Sequence, residues 1–175
     1  MIVLVIGGSG SGKSEWAEKR TLELSGNDRK LYFATMQNDG KEAEKRIARH
    51  RAMRKDKGFE TIEVPFGLCD NLKSIKDSDT ILLEDLSNLA ANLRFWKDMT
   101  EEEVKKCILA DISETSGACG NLVIVSNDIF RDGTIYDEET ARYLVMLGDL
   151  NKEIAALAEE VVEIAAGIPV FYKKI

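Results

Sequence analysis

Cysteine, proline and histidine are scarce in this sequence, and their scarcity limits what the chain can be. Its 175 residues include 3 cysteines and 2 prolines. The cysteines are odd in number and lack C-x-x-C spacing, so they indicate neither a disulfide framework nor a zinc site. Neither proline marks a linker. We therefore expect one domain that spans residues 1–175.

Long apolar runs and a surplus of positive charge are absent as well. No apolar run approaches the length of a membrane span, and no secretory leader pattern opens the chain. Lys and Arg number 24 against 31 Asp and Glu, which gives a net charge of −7. That balance argues against bulk binding to nucleic acid or to an anionic membrane. We expect a cytoplasmic protein with small-molecule partners, without nucleic acid and without a membrane span.

Glycine, by contrast, is concentrated near the N-terminus, in the stretch IGGSGSGKSEW. An apolar run precedes it and helix-favouring residues follow, so the glycines lie on a strand-to-helix turn. The stretch satisfies G-x-x-x-x-G-K-[ST], the P-loop, whose backbone N–H groups hold nucleotide phosphates. The predicted nucleotide-binding residues are Gly7, Gly8, Ser9, Gly10, Ser11, Gly12, Lys13 and Ser14. Lys13 is expected to reach the β- and γ-phosphates as a catalytic residue, and Ser14 is expected to bind Mg²⁺.

Strand-like and helix-like patterns alternate along the rest of the chain. Strands are predicted at Ile2–Ile6, Leu31–Thr35, Thr61–Val64, Thr80–Glu84, Leu122–Ser126, Val161–Ala165 and Pro169–Tyr172. Helices are predicted near 13–25, 40–56, 86–97, 101–115 and 137–159. The alternation predicts an α/β, three-layer P-loop NTPase-type (RecA-like) fold with a mostly parallel sheet and helices on both faces.

An acidic pair closes one apolar strand, in the stretch DTILLEDL. Ligands of open α/β sheets collect at this carboxyl end of the strands, and P-loop enzymes place a Mg²⁺ carboxylate there. Glu84 is our candidate for nucleotide and metal binding. The alternative for a carboxylate at this position is to stabilise a helix N-terminus, and Asp85 fits that alternative better.

The segment EKRIARHRAMRKDK, residues 44–57, is strongly basic within an acidic chain and contains the only histidine, His50. Arg46, His50 and Arg54 recur every four residues, so a helix would bring them onto one stripe. Neighbouring positive charges disfavour a further proton on His50, and a neutral imidazole is a nucleophile. The arginines could bind phosphate oxygens beside it. A solvated basic helix face is the alternative interpretation.

Several stretches together resemble one protein family. They are GGSGSGKSEWAE, YFATMQ with RIARHRAMR and FETIEVP, LLEDLSNLAANL, VSND, and the terminal region around GIP. In this order and spacing they resemble the bifunctional adenosylcobinamide kinase/adenosylcobinamide-phosphate guanylyltransferases of cobalamin biosynthesis. The resemblance places His50 on the family's guanylylated histidine, and Glu84 and Asn92 on its acidic strand end and following Asn-Leu.

The resemblance implies two reactions, with Mg²⁺ as cofactor and GTP and ATP as substrates. In the first, a nucleoside triphosphate phosphorylates the aminopropanol hydroxyl of adenosylcobinamide. In the second, His50 takes GMP from GTP, and adenosylcobinamide phosphate then accepts it to give adenosylcobinamide-GDP. The resemblance also implies a homotrimer. Two other functions stay open from the residues alone: a P-loop small-molecule kinase without guanylyltransferase activity, and a nucleotide-gated binding module.

Overall fold

A computed structural model of the chain describes residues 1–37, 40, 48, 56–129 and 136–174. The strands are β1 (Ile2–Gly7), β2 (Lys30–Ala34), β3 (Phe59–Glu63), β4 (Thr80–Glu84), β5 (Asn121–Asn127), β6 (Glu160–Ala165) and β7 (Ile168–Lys173). The α-helices are α1 (Lys13–Ser25), α2 (Leu86–Ala91), α3 (Glu101–Ala118) and α4 (Glu138–Leu157). A 3₁₀ helix covers Cys69–Ser74, and a π-helical turn, Asn92–Trp96, follows α2.

The strands form one sheet in the order β3-β2-β4-β5-β1-β6-β7. Every neighbouring pair is parallel except β6 and β7, which form an antiparallel hairpin at one edge. Parallel neighbours require crossover connections, which the helices between the strands supply. All the parallel strands therefore end at one edge of the sheet, and the loops that could carry a ligand site gather there.

Helices cover both faces of the sheet. On one face α1 packs through Ala17 against side chains such as Val3, Leu82 and Val123. On the other face α2, α3 and α4 bury apolar side chains against the alternate strand residues, among them Leu4 and Leu83. Because the strands are covered on both sides, their sequences are apolar throughout rather than alternating. This layered arrangement confirms the predicted fold class.

Side-chain caps fix where the helices on the second face begin. Thr100 and Glu103 form a capping box at α3, in which each side chain accepts the other residue's backbone N–H. Asp137 accepts the N–H of Thr140 at the start of α4. These caps satisfy backbone donors that a helix N-terminus leaves unpaired.

The predicted elements that fall on described residues exist, with differences at their ends. The helix predicted over 86–97 is α-helical only to Ala91 and continues as the π-helical turn, while α3 extends to Ala118. The structure also contains the 3₁₀ helix Cys69–Ser74, which the sequence does not predict because so short an element shows no periodicity. The predicted helix 40–56 falls almost wholly outside the described residues. None of the helices described is long and apolar enough to cross a membrane.

Candidate functional site

The P-loop connects β1 to α1 at the carboxyl edge of the sheet. Gly10 and Gly12 adopt φ angles of 71° and 91°, in the left-handed region that favours glycine. Gly12 stands at the N-terminus of α1, and no side chain caps that end. The first N–H groups of the helix are therefore left to an external acceptor, which is the arrangement that binds phosphate.

Lys13 and Ser14, the last two residues of the motif, point back into the loop and across to β4. Lys13 is 9% exposed, and its Nζ donates a hydrogen bond to the carbonyl of Gly8 at 3.1 Å. The Ser14 hydroxyl donates to Oε1 of Glu84, which lies 70 residues further along the chain. The structure therefore brings together the P-loop and the acidic strand end that the sequence predicts as its partner.

Glu84 is buried with one carboxylate oxygen unused. The residue is 8% exposed, and its Oε2 has no hydrogen-bond partner among the described residues. Burial raises the pKa of Glu84 to about 7, while the hydrogen bond from Ser14 acts in the opposite direction. An unpaired buried carboxylate oxygen is costly by itself, and an external cation would satisfy it.

Thr35, directly after β2, holds the backbone next to Glu84. Its buried hydroxyl accepts the N–H of Asp85 at 2.8 Å and lies 3.0 Å from the carbonyl of Glu84. Asn92 in turn donates from Nδ2 to the carbonyls of Thr35 and Pro65, at 2.8 and 2.9 Å. These contacts join the ends of β2 and β4 and the chain after β3 at one edge, so the position of Glu84 is defined by three segments.

Asp85 acts as the cap of α2. Its Oδ1 accepts the N–H of Asn88 at 2.7 Å and the hydroxyl of Ser87 at 2.7 Å. Its Oδ2 accepts a hydrogen bond from Nδ2 of Asn127, at the end of β5, at 3.3 Å. The interpretation of Asp85 as a helix-capping carboxylate is confirmed. With both of its oxygens engaged, Asp85 is a weaker metal candidate than Glu84.

The hairpin between β6 and β7 supports the P-loop from the other side. The N–H of Gly167 donates to the carbonyl of Ser11 at 2.9 Å. A Cβ added to Gly7 would lie 2.5 Å from the Ser11 hydroxyl and 2.8 Å from the carbonyl of Ile164. The loop is thus packed against the hairpin at Gly7, whereas a Cβ at Gly8 would meet nothing within 4 Å.

This packing predicts different outcomes for two adjacent glycines. We expect Gly7→Ala to lower the free energy of unfolding by about 1–3 kcal/mol, because the backbone carbonyl of Ile164 must move. Gly8→Ala has open space and an ordinary φ angle, so the free energy of unfolding should change by less than about 1 kcal/mol. Urea denaturation of both variants measures the difference. Equal destabilisation of the two would contradict the described packing of the loop.

A partly buried ion pair involves Glu18, on α1 one turn beyond Ser14. Glu18 is almost fully buried, and its Oε2 pairs with the ammonium group of Lys57. Lys57 is the last residue of the basic segment 44–57. The pair therefore attaches one end of that segment to the helix that follows the P-loop.

The predicted site residues fall into two groups. Gly7 to Ser14 and Glu84 come together at the carboxyl edge of the sheet, whereas His50, Arg46 and Arg54 lie outside the described residues. Thr35 is a further residue of this site that the sequence does not predict, because its partners Glu84 and Asp85 are about 50 residues away. No local pattern identifies such a contact, because it depends on which strands become neighbours.

Comparison with known proteins adds the family. The sequence model of a family described as cobinamide kinase / cobinamide phosphate guanyltransferase matches residues 3–171. A similar protein from Pseudomonas aeruginosa, the bifunctional adenosylcobalamin biosynthesis protein CobP, is 32% identical over 168 residues, covering 95% of this chain and 94% of the relative. The bifunctional adenosylcobalamin biosynthesis protein CobU of Escherichia coli K12 is 31% identical over 186 aligned positions, covering 99% and 100%.

A solved structure supports the fold. A KaiC-like protein from the hyperthermophilic archaeon Pyrococcus horikoshii superposes with a TM-score of 0.52 at 14% identity. The similarity covers 93% of this chain and 69% of that one. At this level of identity the similarity concerns the fold alone, and it agrees with the predicted RecA-like α/β class.

Proposed function

The chain belongs to the cobinamide kinase / cobinamide phosphate guanyltransferase family, and from that premise we propose that it catalyses two consecutive transfers in cobalamin biosynthesis. It phosphorylates adenosylcobinamide with ATP or GTP, and it then transfers GMP from GTP to the new phosphate. The observation that carries the proposal is the P-loop with Glu84 placed against Ser14 at the carboxyl edge of the sheet. Both transfers begin with a bound nucleoside triphosphate.

In the kinase step the hydroxyl oxygen of adenosylcobinamide attacks the γ-phosphorus. The bond from that phosphorus to the β–γ bridging oxygen breaks, the hydroxyl proton passes to solvent, and a nucleoside diphosphate is released. The free N–H groups of the P-loop and of α1 hold the phosphates, and Lys13 neutralises negative charge on them. For this the Lys13 ammonium exchanges its hydrogen bond to Gly8 for phosphate oxygens.

We propose that Ser14 and Glu84 bind Mg²⁺ together with the nucleotide. The unpaired Oε2 of Glu84 and the adjacent Ser14 hydroxyl are hard oxygen donors of the kind Mg²⁺ prefers. Among the described residues no group of three His, Cys, Asp or Glu side chains could hold a metal alone. An ion between Ser14 and Glu84 would share its coordination with substrate phosphates and would supply charge neutralisation there.

In the guanylyl step we propose His50 as the nucleophile. Its ring nitrogen attacks the α-phosphorus of GTP, pyrophosphate leaves, and a phosphorus–nitrogen bond holds GMP on the protein. A phosphate oxygen of adenosylcobinamide phosphate then attacks the same phosphorus and breaks that bond, which gives adenosylcobinamide-GDP. Arg46 and Arg54 would bind phosphate oxygens.

Labelled GTP distinguishes this function from simpler ones. Purified protein with adenosylcobinamide should transfer label from γ-labelled GTP to cobinamide, and α-labelled GTP should give pyrophosphate, labelled protein and labelled adenosylcobinamide-GDP. A small-molecule kinase would release only GDP and no pyrophosphate. A binding module would leave the GTP unconsumed. Formation of the diphosphate product without any α-labelled adduct would contradict the second step.

The metal assignment predicts a specific effect of Glu84→Gln. The amide keeps the size of the side chain but removes the charge that a hard cation needs. We expect the Mg²⁺ concentration for half-maximal kinase activity to rise on the order of tenfold or more. Glu15→Gln, an exposed position on the same helix as Ser14, is the matched control and should leave the titration unchanged. An unaltered Mg²⁺ titration in the Glu84 variant would move the metal to another residue.

Assembly and location complete the proposal. We propose a cytoplasmic homotrimer, in line with the family resemblance. The edge strand β7 exposes Ile168, Val170, Phe171 and Tyr172, and exposed apolar surface of this kind is typical of subunit contacts. Light scattering coupled to gel filtration gives the mass of the assembly, and a monomer at micromolar concentration would contradict the proposed trimer.

A further inference from the structure

Thr35 is a buried polar residue beside the candidate metal carboxylate, and neither proposed transfer uses it. It directly follows β2 and is fully buried. Strand β2 pairs in parallel with β4, with Ala34 opposite Glu84, so Thr35 lies beside the end of β4. A buried hydroxyl is costly unless it forms hydrogen bonds. The partners of this hydroxyl therefore indicate what the residue does.

Thr35 contacts three backbone polar groups of Glu84 and Asp85. Its N–H donates to the carbonyl of Glu84 at 3.2 Å. Its hydroxyl accepts the N–H of Asp85 at 2.8 Å. The same hydroxyl can donate its proton to the carbonyl of Glu84, at 3.0 Å, or to that of Asp85, at 2.9 Å. One residue thus holds the peptide that joins Glu84 to Asp85.

The carboxylate of Glu84 has fewer contacts than its backbone. Among the described residues, Oε1 accepts a hydrogen bond from the Ser14 hydroxyl and Oε2 has no hydrogen-bond partner. The position of the carboxylate therefore depends on the backbone from which it projects. Mg²⁺ requires near-ideal octahedral geometry, so a displacement of the carboxylate by about half an ångström weakens its coordination.

The backbone of Thr35 is itself restrained by another segment. Asn92, the first residue of the π-helical turn, donates from Nδ2 to the carbonyl of Thr35 at 2.8 Å. The same nitrogen donates to the carbonyl of Pro65, beyond β3, at 2.9 Å. The hydroxyl of Thr35 therefore meets Glu84 and Asp85 from a defined position.

We propose that Thr35 is a positioning residue for Mg²⁺ binding, an inference that rests on the proposed metal role of Ser14 and Glu84. Thr35 acts through Glu84, because it holds the backbone from which the carboxylate projects toward Ser14. Without the hydroxyl, the N–H of Asp85 loses its acceptor, and the peptide shifts to find another. The carboxylate shifts with that peptide, so the affinity for the ion falls while the P-loop is unchanged.

Binding of a non-hydrolysable ATP analogue tests this role without catalysis. Calorimetry with Mg²⁺ and again with EDTA gives two Kd values, and their ratio is the factor by which the ion strengthens binding. In Thr35→Val, which replaces the hydroxyl by a methyl group of similar size, this factor should fall about fivefold or more. The Kd in EDTA should stay within about twofold, because the P-loop still holds the phosphates. Thr35→Ser keeps the hydroxyl and should retain the wild-type factor.

Further variants separate positioning from general damage to the fold. Because Thr35 acts through Glu84, adding Thr35→Val to Glu84→Gln should lower the Mg²⁺ factor no further, whereas independent effects would add. Thr80→Val is the matched control, because it removes an equally buried hydroxyl, bonded to Asn121 at 3.1 Å, from the other end of β4. It should leave the factor unchanged. Thr35→Ala gives the same comparison if Thr35→Val does not fold.

Three results would overturn the proposal. They are a wild-type Mg²⁺ factor in Thr35→Val, additive effects in the double variant, and an equal loss of affinity with Mg²⁺ and with EDTA, which a purely structural role would give. A wild-type protein whose affinity for the analogue is the same with Mg²⁺ and with EDTA would instead overturn the proposed metal role of Ser14 and Glu84, and this inference with it.

Discussion

Replacement of Lys13 by alanine should slow both transfers about a hundredfold or more, because both reactions require the triphosphate to be held and neutralised. Lys13 is buried in the loop, where its ammonium donates a hydrogen bond to the carbonyl of Gly8. Its removal therefore costs little stability. We expect the loss to appear in kcat/KM for phosphorylation of adenosylcobinamide and in the rate of guanylylation.

Lys19→Ala is the matched control for this prediction. Lys19 is exposed on the same helix, so its removal changes the net charge equally without touching the loop. Urea denaturation should show similar free energies of unfolding for both variants, within about 1 kcal/mol. A folded Lys13→Ala protein that phosphorylates adenosylcobinamide at a near-normal rate would remove the P-loop from the proposed mechanism.

The second large effect should separate the two activities. His50→Asn should abolish the covalent GMP adduct and the formation of adenosylcobinamide-GDP, because the chain contains no other histidine to replace it. Phosphorylation of adenosylcobinamide should persist, since γ-phosphoryl transfer to a bound hydroxyl needs no protein nucleophile. The measurement is protein-bound label from α-labelled GTP, which acid should release and alkali should not.

Lys13→Ala provides the comparison for His50→Asn, because it should lose both activities where the histidine variant loses one. Two results would count against the assignment. A His50→Asn protein that still accumulates GMP would make the histidine part of a basic helix face. A folded His50→Asn protein without kinase activity would show that the two transfers are not divided between the P-loop and the histidine as proposed.

The parts of the site that the sequence predicted are those formed by contiguous residues. The P-loop motif consists of eight consecutive residues between a strand and a helix, so the motif and its context are visible together. Glu84 was predicted by a general rule for parallel sheets, which places ligands at the carboxyl ends of strands. Asp85 was interpreted as a helix cap because its position before α2 is also a local feature.

Contacts between distant segments had no such signal. Thr35 meets Glu84 across 49 residues, and Tyr143 meets Ser87 across 56. Each contact depends on the order of the strands and on the register in which they pair. The periodicity within one segment predicts neither the order nor the register. The 3₁₀ helix and the π-helical turn were not predicted for a different reason: both are too short to show a periodic pattern of their own.

By itself the sequence determined the α/β class, the P-loop motif and the acidic residue opposite it, because backbone preference and hydrophobic periodicity act over neighbouring residues. Only the tertiary structure decided that Glu84 keeps one buried carboxylate oxygen without a hydrogen-bond partner among the described residues. Burial and hydrogen-bond partners are set by packing between segments, and packing depends on the sheet order that places β4 between β2 and β5.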